Sequence, residues 1–141
     1  MTIRKVQIES HLLGMCMPQK GDEQEQHLTI SDTGRVWFTR YLVGDEYDKP
    51  DSEGVRQASI GKEKARELLD MIEIHIEDLR RTYVTDVGCW NMRITYADGT
   101  VEKYGASLLS EMSSDDVCVS KEIHDAMPFD GVVSFGYFDD E

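Results

Sequence analysis

Five carboxylates crowd into eleven residues: Asp45, Glu46, Asp48, Asp51 and Glu53, all between Gly44 and Gly54. With Lys49 as the sole counter-charge, the stretch sums to −4. Carboxylates at that density suit either a hard divalent cation or the Lys and Arg side chains of a partner. A calcium loop of the helix–loop–helix kind needs oxygen ligands at positions 1, 3, 5 and 12 and Gly at 6. Placing Gly54 at position 6 puts Lys49 at position 1 and Ile60 at position 12, so the template fails. Adventitious divalent binding and contact with a basic surface are the chemistries left, set against the plainer reading of a solvated loop.

Acid gathers again near the C-terminus. Residues 106–141 hold nine Asp or Glu against one Lys, Asp115 and Asp116 among them. The whole chain carries −13. A surface of that sign repels nucleic acid and anionic membrane and steers a basic protein surface toward itself. Solubility alone explains the same number without a partner.

Other chemistries find less support. His11 and Cys16 lie five apart and Cys118 and His124 six apart, outside the short spacings of zinc sites. There is no CxxC and no HExxH, so no metal and no cofactor is expected. Gly105-Ala106-Ser107-Leu108-Leu109 has Leu where a nucleophile elbow has its second Gly. No glycine-rich phosphate loop occurs. His75 falls three residues before Asp78 on a helical pattern, and His75 or His124 with a distant carboxylate would make an acid–base couple. Nothing in the sequence selects one, and no catalytic residue is assigned.

The aromatics are mostly strand-like and core-forming. Trp37 and Phe38 are adjacent, so a strand sends them to opposite faces and at most one meets a covering helix. An outward Trp37 beside acidic segments has the character of a binding hot spot. The candidate partner-binding set is therefore Asp45, Glu46, Asp48, Asp51, Glu53, Asp115, Asp116 and Trp37.

These groups need elements to carry them. Ala65, Leu68, Leu69, Ile72, Ile76, Leu79 and Tyr83 recur by threes and fours, predicting one long helix over 61–83. Before it, Ile3–Glu9 alternates as a strand, and residues 19–27 read as an exposed polar loop. Leu28–Ser31 and Arg35–Leu42 flank Asp32-Thr33-Gly34 as a hairpin. Residues 44–54 read as a long connection, followed by a short strand, Val55–Ile60. After the helix and a turn over 85–88, Cys89–Tyr96 is the cleanest strand. It puts Trp90, Met92, Ile94 and Tyr96 on one side and Cys89, Asn91, Arg93 and Thr95 on the other. Asp98-Gly99 then predicts a two-residue turn with Tyr96 opposite Val101 and Ile94 opposite Lys103. The segments 29–36 and 95–101 look alike, through duplication or through shared turn chemistry.

Residues 113–116 are helix starters, Val119, Ile123, Ala126 and Met127 share a helical face, and Pro128 ends it. Val132–Phe138 reads as a last strand. The expected fold is α+β: a single domain over 1–141, an antiparallel sheet of about five to seven strands on one long central helix, and a shorter C-terminal helix.

The N-terminus lacks the apolar core of a secretory signal and no run of about 18 apolar residues occurs. Three separated cysteines read as free thiols. Together these point to the cytoplasm. The expected function is a non-enzymatic acidic interaction protein that blocks a basic, nucleic-acid-binding surface, the logic of immunity proteins and phage anti-defence inhibitors. Two other readings fit the same residues. One is a ligand binder or enzyme with a sheet–helix pocket near Trp90, Met92 and Tyr137. The other is a self-associating subunit using an edge strand or Trp37.

Overall fold

The computed structural model describes residues 2–12, 20, 23–46, 49–80, 88–107, 111–114, 117–129 and 132. In chain order the elements begin with β1 (Ile3–His11), β2 (Glu23–Ser31), β3 (Arg35–Glu46) and β4 (Lys49–Ser59). Then come α1 (Lys62–His75), a 3-10 turn (Ile76–Asp78) and the two-residue β5 (Leu79–Arg80). The chain continues through β6 (Cys89–Tyr96), β7 (Val101–Ser107), β8 (Glu111–Ser114), β9 (Val117–Cys118) and α2 (Val119–Ala126). Six strands make one antiparallel sheet in the order β4-β3-β2-β1-β6-β7, and β5-β8-β9 form a small second sheet. The architecture is α+β, and among the described residues no helix is long and apolar enough to cross a membrane.

Alternation decides the layers. Val6, Ile8, Leu28, Ile30, Val36, Phe38, Met92 and Ile94 all point to one face and are buried. They stand in register across the sheet, as in Val36↔Ile30↔Val6↔Ile94. α1 lies over β1 and β2 with Ala65, Leu68, Leu69 and Ile72 fully buried, and α2 packs on α1 through Val119 and Ile123. Phe38 stacks on Phe129 with centroids 5.4 Å apart, while its neighbour Trp37 faces away from the helices. Trp90 and Met92 are core side chains; Tyr137 lies outside the described residues.

Ile3 and Val6 are both buried although three residues apart, which a regular strand forbids. The register against β6 shifts between Ile3 and Lys5, giving β1 one extra residue there. That bulge reverses the side-chain parity. From α1, Arg66 Nη2 donates to the Ile3 carbonyl oxygen at 2.8 Å, while its Nε donates to Asp70 Oδ1 at 2.8 Å.

Several expectations need correcting. The helix ends at His75, not Tyr83. Leu79 continues the helical spacing, but its backbone pairs with Met112 in the small sheet, and a tertiary ladder overrides local periodicity there. Tyr83 and residues 85–87 lie outside the described residues. Within residues 19–27, Glu23–His27 belongs to β2, because β1 and β3 satisfy its backbone on both sides. Of the supposed connection over 44–54, residues 44–46 belong to β3 and 49–54 to β4. Glu111–Ser114 pairs as β8, so α2 starts at Val119. Of the last expected strand only Val132 is described, and it is buried.

The second hairpin has a three-residue loop, not two. Gly99 N–H donates to the Tyr96 carbonyl at 3.0 Å with Gly99 at φ +91°, and Thr95 pairs with Val101. The slip by one residue turns Glu102, Tyr104 and Ala106 to the helix side and Lys103 outward. The first hairpin is built the same way: Gly34 N–H meets the Ser31 carbonyl at 3.0 Å with φ +92°.

The two glycines differ in surroundings. A Cβ on Gly34 would lie 2.7 Å from the Gly61 carbonyl carbon, whereas a Cβ on Gly99 meets open space. Gly99→Ala should cost about 1 kcal/mol from the positive φ alone. Gly34→Ala should cost roughly 2 kcal/mol or more, since the backbone entering α1 must also move. Arg66→Met should lower stability by about 1 kcal/mol, a drop of roughly 3 °C in Tm. Chemical and thermal denaturation of the three variants checks all of this.

Candidate functional site

Among the described residues the last pair between β2 and β3 is Glu23↔Leu42, but β3 and β4 pair at Leu42↔Asp51 and, after a register shift, again at Glu46↔Lys49. Among those residues the acidic segment is therefore the end of the β3–β4 hairpin, a two-stranded ribbon, beyond the last β2–β3 pair, with Val43 and Gly44 buried at its base. Asp45 and Glu46 belong to its outgoing strand and Asp51 and Glu53 to its return, both of the latter exposed. Asp48 lies outside the described residues.

The ribbon's root is pinned. Arg40 donates from Nε and Nη2 to the two carboxylate oxygens of Glu23, each at 3.0 Å. This bidentate pair raises the Arg40 pKa against the opposing effect of its burial, and Glu53 adds to the field. Glu53 also approaches Arg56 at 3.8 Å. Asp115 and Asp116 lie outside the described residues.

Helices cover one face of the large sheet, and the other is the face Trp37 occupies, half-buried. Cross-strand rows lie along it: Gln57–Trp37–Thr29–Gln7–Arg93–Lys103, beside it Val55–Thr39–His27–Glu9–Asn91–Gly105, and then Tyr41–Glu25–His11–Cys89. Glu25 is bracketed by two imidazoles. His11 Nδ1 lies 2.7 Å from Oε1, and His27 Nε2 contacts Oε2. The His27 ring also tilts against Tyr41, centroids 4.7 Å apart. Charged side chains in these rows and the next are Lys5, Arg35, Arg93 and Lys103 against Glu9 and Glu25, so the chain's acid excess lies elsewhere. Neither the histidine pair nor this cationic balance was anticipated. The alternation of His11, His27, Arg93 and Lys103 against buried neighbours carried the signal, but only pairing aligns it.

On the helix side, the phenols of Tyr96 and Tyr104 both donate to Glu102 Oε2, Tyr96 at 3.3 Å. The hydrogen bond to Glu102, then burial, pushes the Tyr104 pKa up to about 12. Tyr96 is raised mainly by burial, then by the Glu102 charge. Both phenols thus hold their protons at neutral pH. His75 ends α1, and His124 Nδ1 approaches Asp125 Oδ1 at 3.3 Å on α2. Among the described residues no three His, Cys, Asp or Glu side chains are placed to hold a metal ion, and Cys89 and Cys118 are free thiols.

No family model matches the chain, and no curated protein matches it.

The raised phenol has a pH consequence. Between pH 10, the ordinary tyrosine value, and about 12, the folded chain keeps the Tyr104 proton while the unfolded chain loses it. Stability therefore falls as pH rises through that window. Tyr104→Phe should flatten the fall, and denaturation midpoints measured from pH 9 to pH 12 check it.

Proposed function

We propose that this chain is a non-enzymatic interaction protein whose acidic β3–β4 ribbon engages a basic surface on a partner protein. The observation that carries this reading is the extension of paired β-structure to Glu46↔Lys49, beyond the last β2–β3 pair among the described residues. A free loop would lose conformational entropy on docking; a hairpin already paired loses less. Asp45 and Glu46 on the outgoing strand and Asp51 and Glu53 on the return thereby share one narrow arm, and Asp48 adds its charge in sequence between them. Such an arm fits a Lys/Arg groove of the kind that otherwise receives phosphates, so the chain would act as an inhibitor of a nucleic-acid-binding partner. The cationic balance of the open sheet face supports the reading, since it leaves the acid to the rest of the surface.

The test compares affinity capture from the source cell by the wild-type protein and by a variant carrying Asp45→Lys, Glu46→Lys, Asp48→Lys and Asp51→Lys. The expected result is a basic partner lost from the variant and eluted from the wild type by moderate salt. Identical partners for both, retained at high salt, would refute the ribbon's role.

A further inference from the structure

Two like charges stand side by side on the open face. Arg93 of β6 lies directly opposite Lys103 of β7, with Gln7 of β1 on its other flank. Directly opposed side chains have Cβ atoms about 5 Å apart, and like charges in that relation are destabilising. Among the described residues neither cation forms an ion pair, in a chain with 28 acidic against 15 basic residues.

The pair does not stand on a flat surface. It lines a depression of about 340 Å³ shared with Gln7, Glu9, Asn91, Met92 and Tyr104. Gly105 supplies the shape: a Cβ there would lie 2.9 Å from Asn91 Oδ1, so its absence lets the carboxamide lie across β7. The depression thus gathers a guanidinium, an ammonium and two carboxamides. Glu9 also lines it, with His11 Nε2 3.9 Å from its Oε2.

We propose that this depression binds a small phosphate-type oxyanion. The Arg93 guanidinium presents the planar fork that matches two oxygens of such a group, and Lys103 supplies a point charge beside it. Gln7 and Asn91 donate to the remaining oxygens. Binding relieves the Arg93–Lys103 repulsion, which explains why the two are tolerated on adjacent strands. The volume is at the lower end for small-molecule sites, and the chain's overall negative field disfavours a long polyanion. This site is separate from the ribbon and stands whether or not the ribbon binds a partner.

The test is a titration of inorganic phosphate into the isotope-labelled full chain, read by amide chemical shifts. Saturable shifts are expected at Asn91, Arg93, Lys103 and Gly105. Arg93→Gln and Lys103→Gln should each weaken binding roughly tenfold, by loss of one charge-assisted contact. Glu9→Gln should tighten it. Gly105→Ala, which changes no charge but displaces Asn91, should weaken it. Tighter binding of a nucleoside monophosphate than of phosphate would assign a phosphorylated small molecule; equal binding would assign the free anion. Equal shifts with chloride at matched ionic strength, or unchanged affinity in both cation variants, would overturn the proposal. So would shifts seen only with a single-stranded oligonucleotide and spreading to Trp37 and Tyr41.

Discussion

Among the described residues the helices cover one face of the large sheet, and that one-sided cover shapes the molecule. α1 brings Ala65, Leu68, Leu69 and Ile72 onto β1 and β2, and each large aliphatic side chain so buried contributes about 2 kcal/mol. α2 widens the cover by packing on α1. Because successive residues of a strand point to opposite faces, every side chain drawn inward commits its neighbours outward. The bulge near Arg4 shows the strength of the demand. Without the extra residue Ile3 would point to solvent, and with it the strand presents Ile3, Val6 and Ile8 to the same core.

Two surfaces of different character follow. Along α1 and the 3-10 turn after it Glu63, Glu67 and Glu77 are exposed together with Lys62, and the β3–β4 ribbon carries its run of acids. The outward rows of the sheet carry four cations, two histidines and Trp37 against two carboxylates. A net charge of −13 therefore describes no single face. The edge strand β4 is exposed from Asp51 to Gln57, with Val55 67% accessible. Charged residues and Pro50 are means by which an open edge resists unwanted pairing, and β4 contains both.

Where a segment's own period matched its tertiary role, the sequence was readable. Cys89–Tyr96 alternates without exception, and its two sides are those of the folded sheet. The adjacent Trp37 and Phe38 had to separate, and they do. Legibility failed where backbone partners came from far along the chain. Glu23–His27 is too polar to suggest a strand, yet β1 and β3 hold it in place. Leu79 obeys helical spacing, yet pairs with Met112. At Asp98-Gly99 the turn residues were recognised but not the loop length, and that single residue decided that Lys103 would stand beside Arg93 on the outer face.

The candidate site divides the same way. Residue types and their crowding marked Asp45–Glu53 as chemically unusual, since charge density is a property of composition and needs no fold. Composition also set the class, through apolar periods of two and of 3.6 that require a sheet and a helix to cover each other. Only the tertiary structure made the acidic segment a paired arm, because strand pairing is a contact between separate stretches. Only it aligned Gln7, Arg93 and Lys103 across three strands, because register depends on bulges and loop lengths that local sequence leaves free.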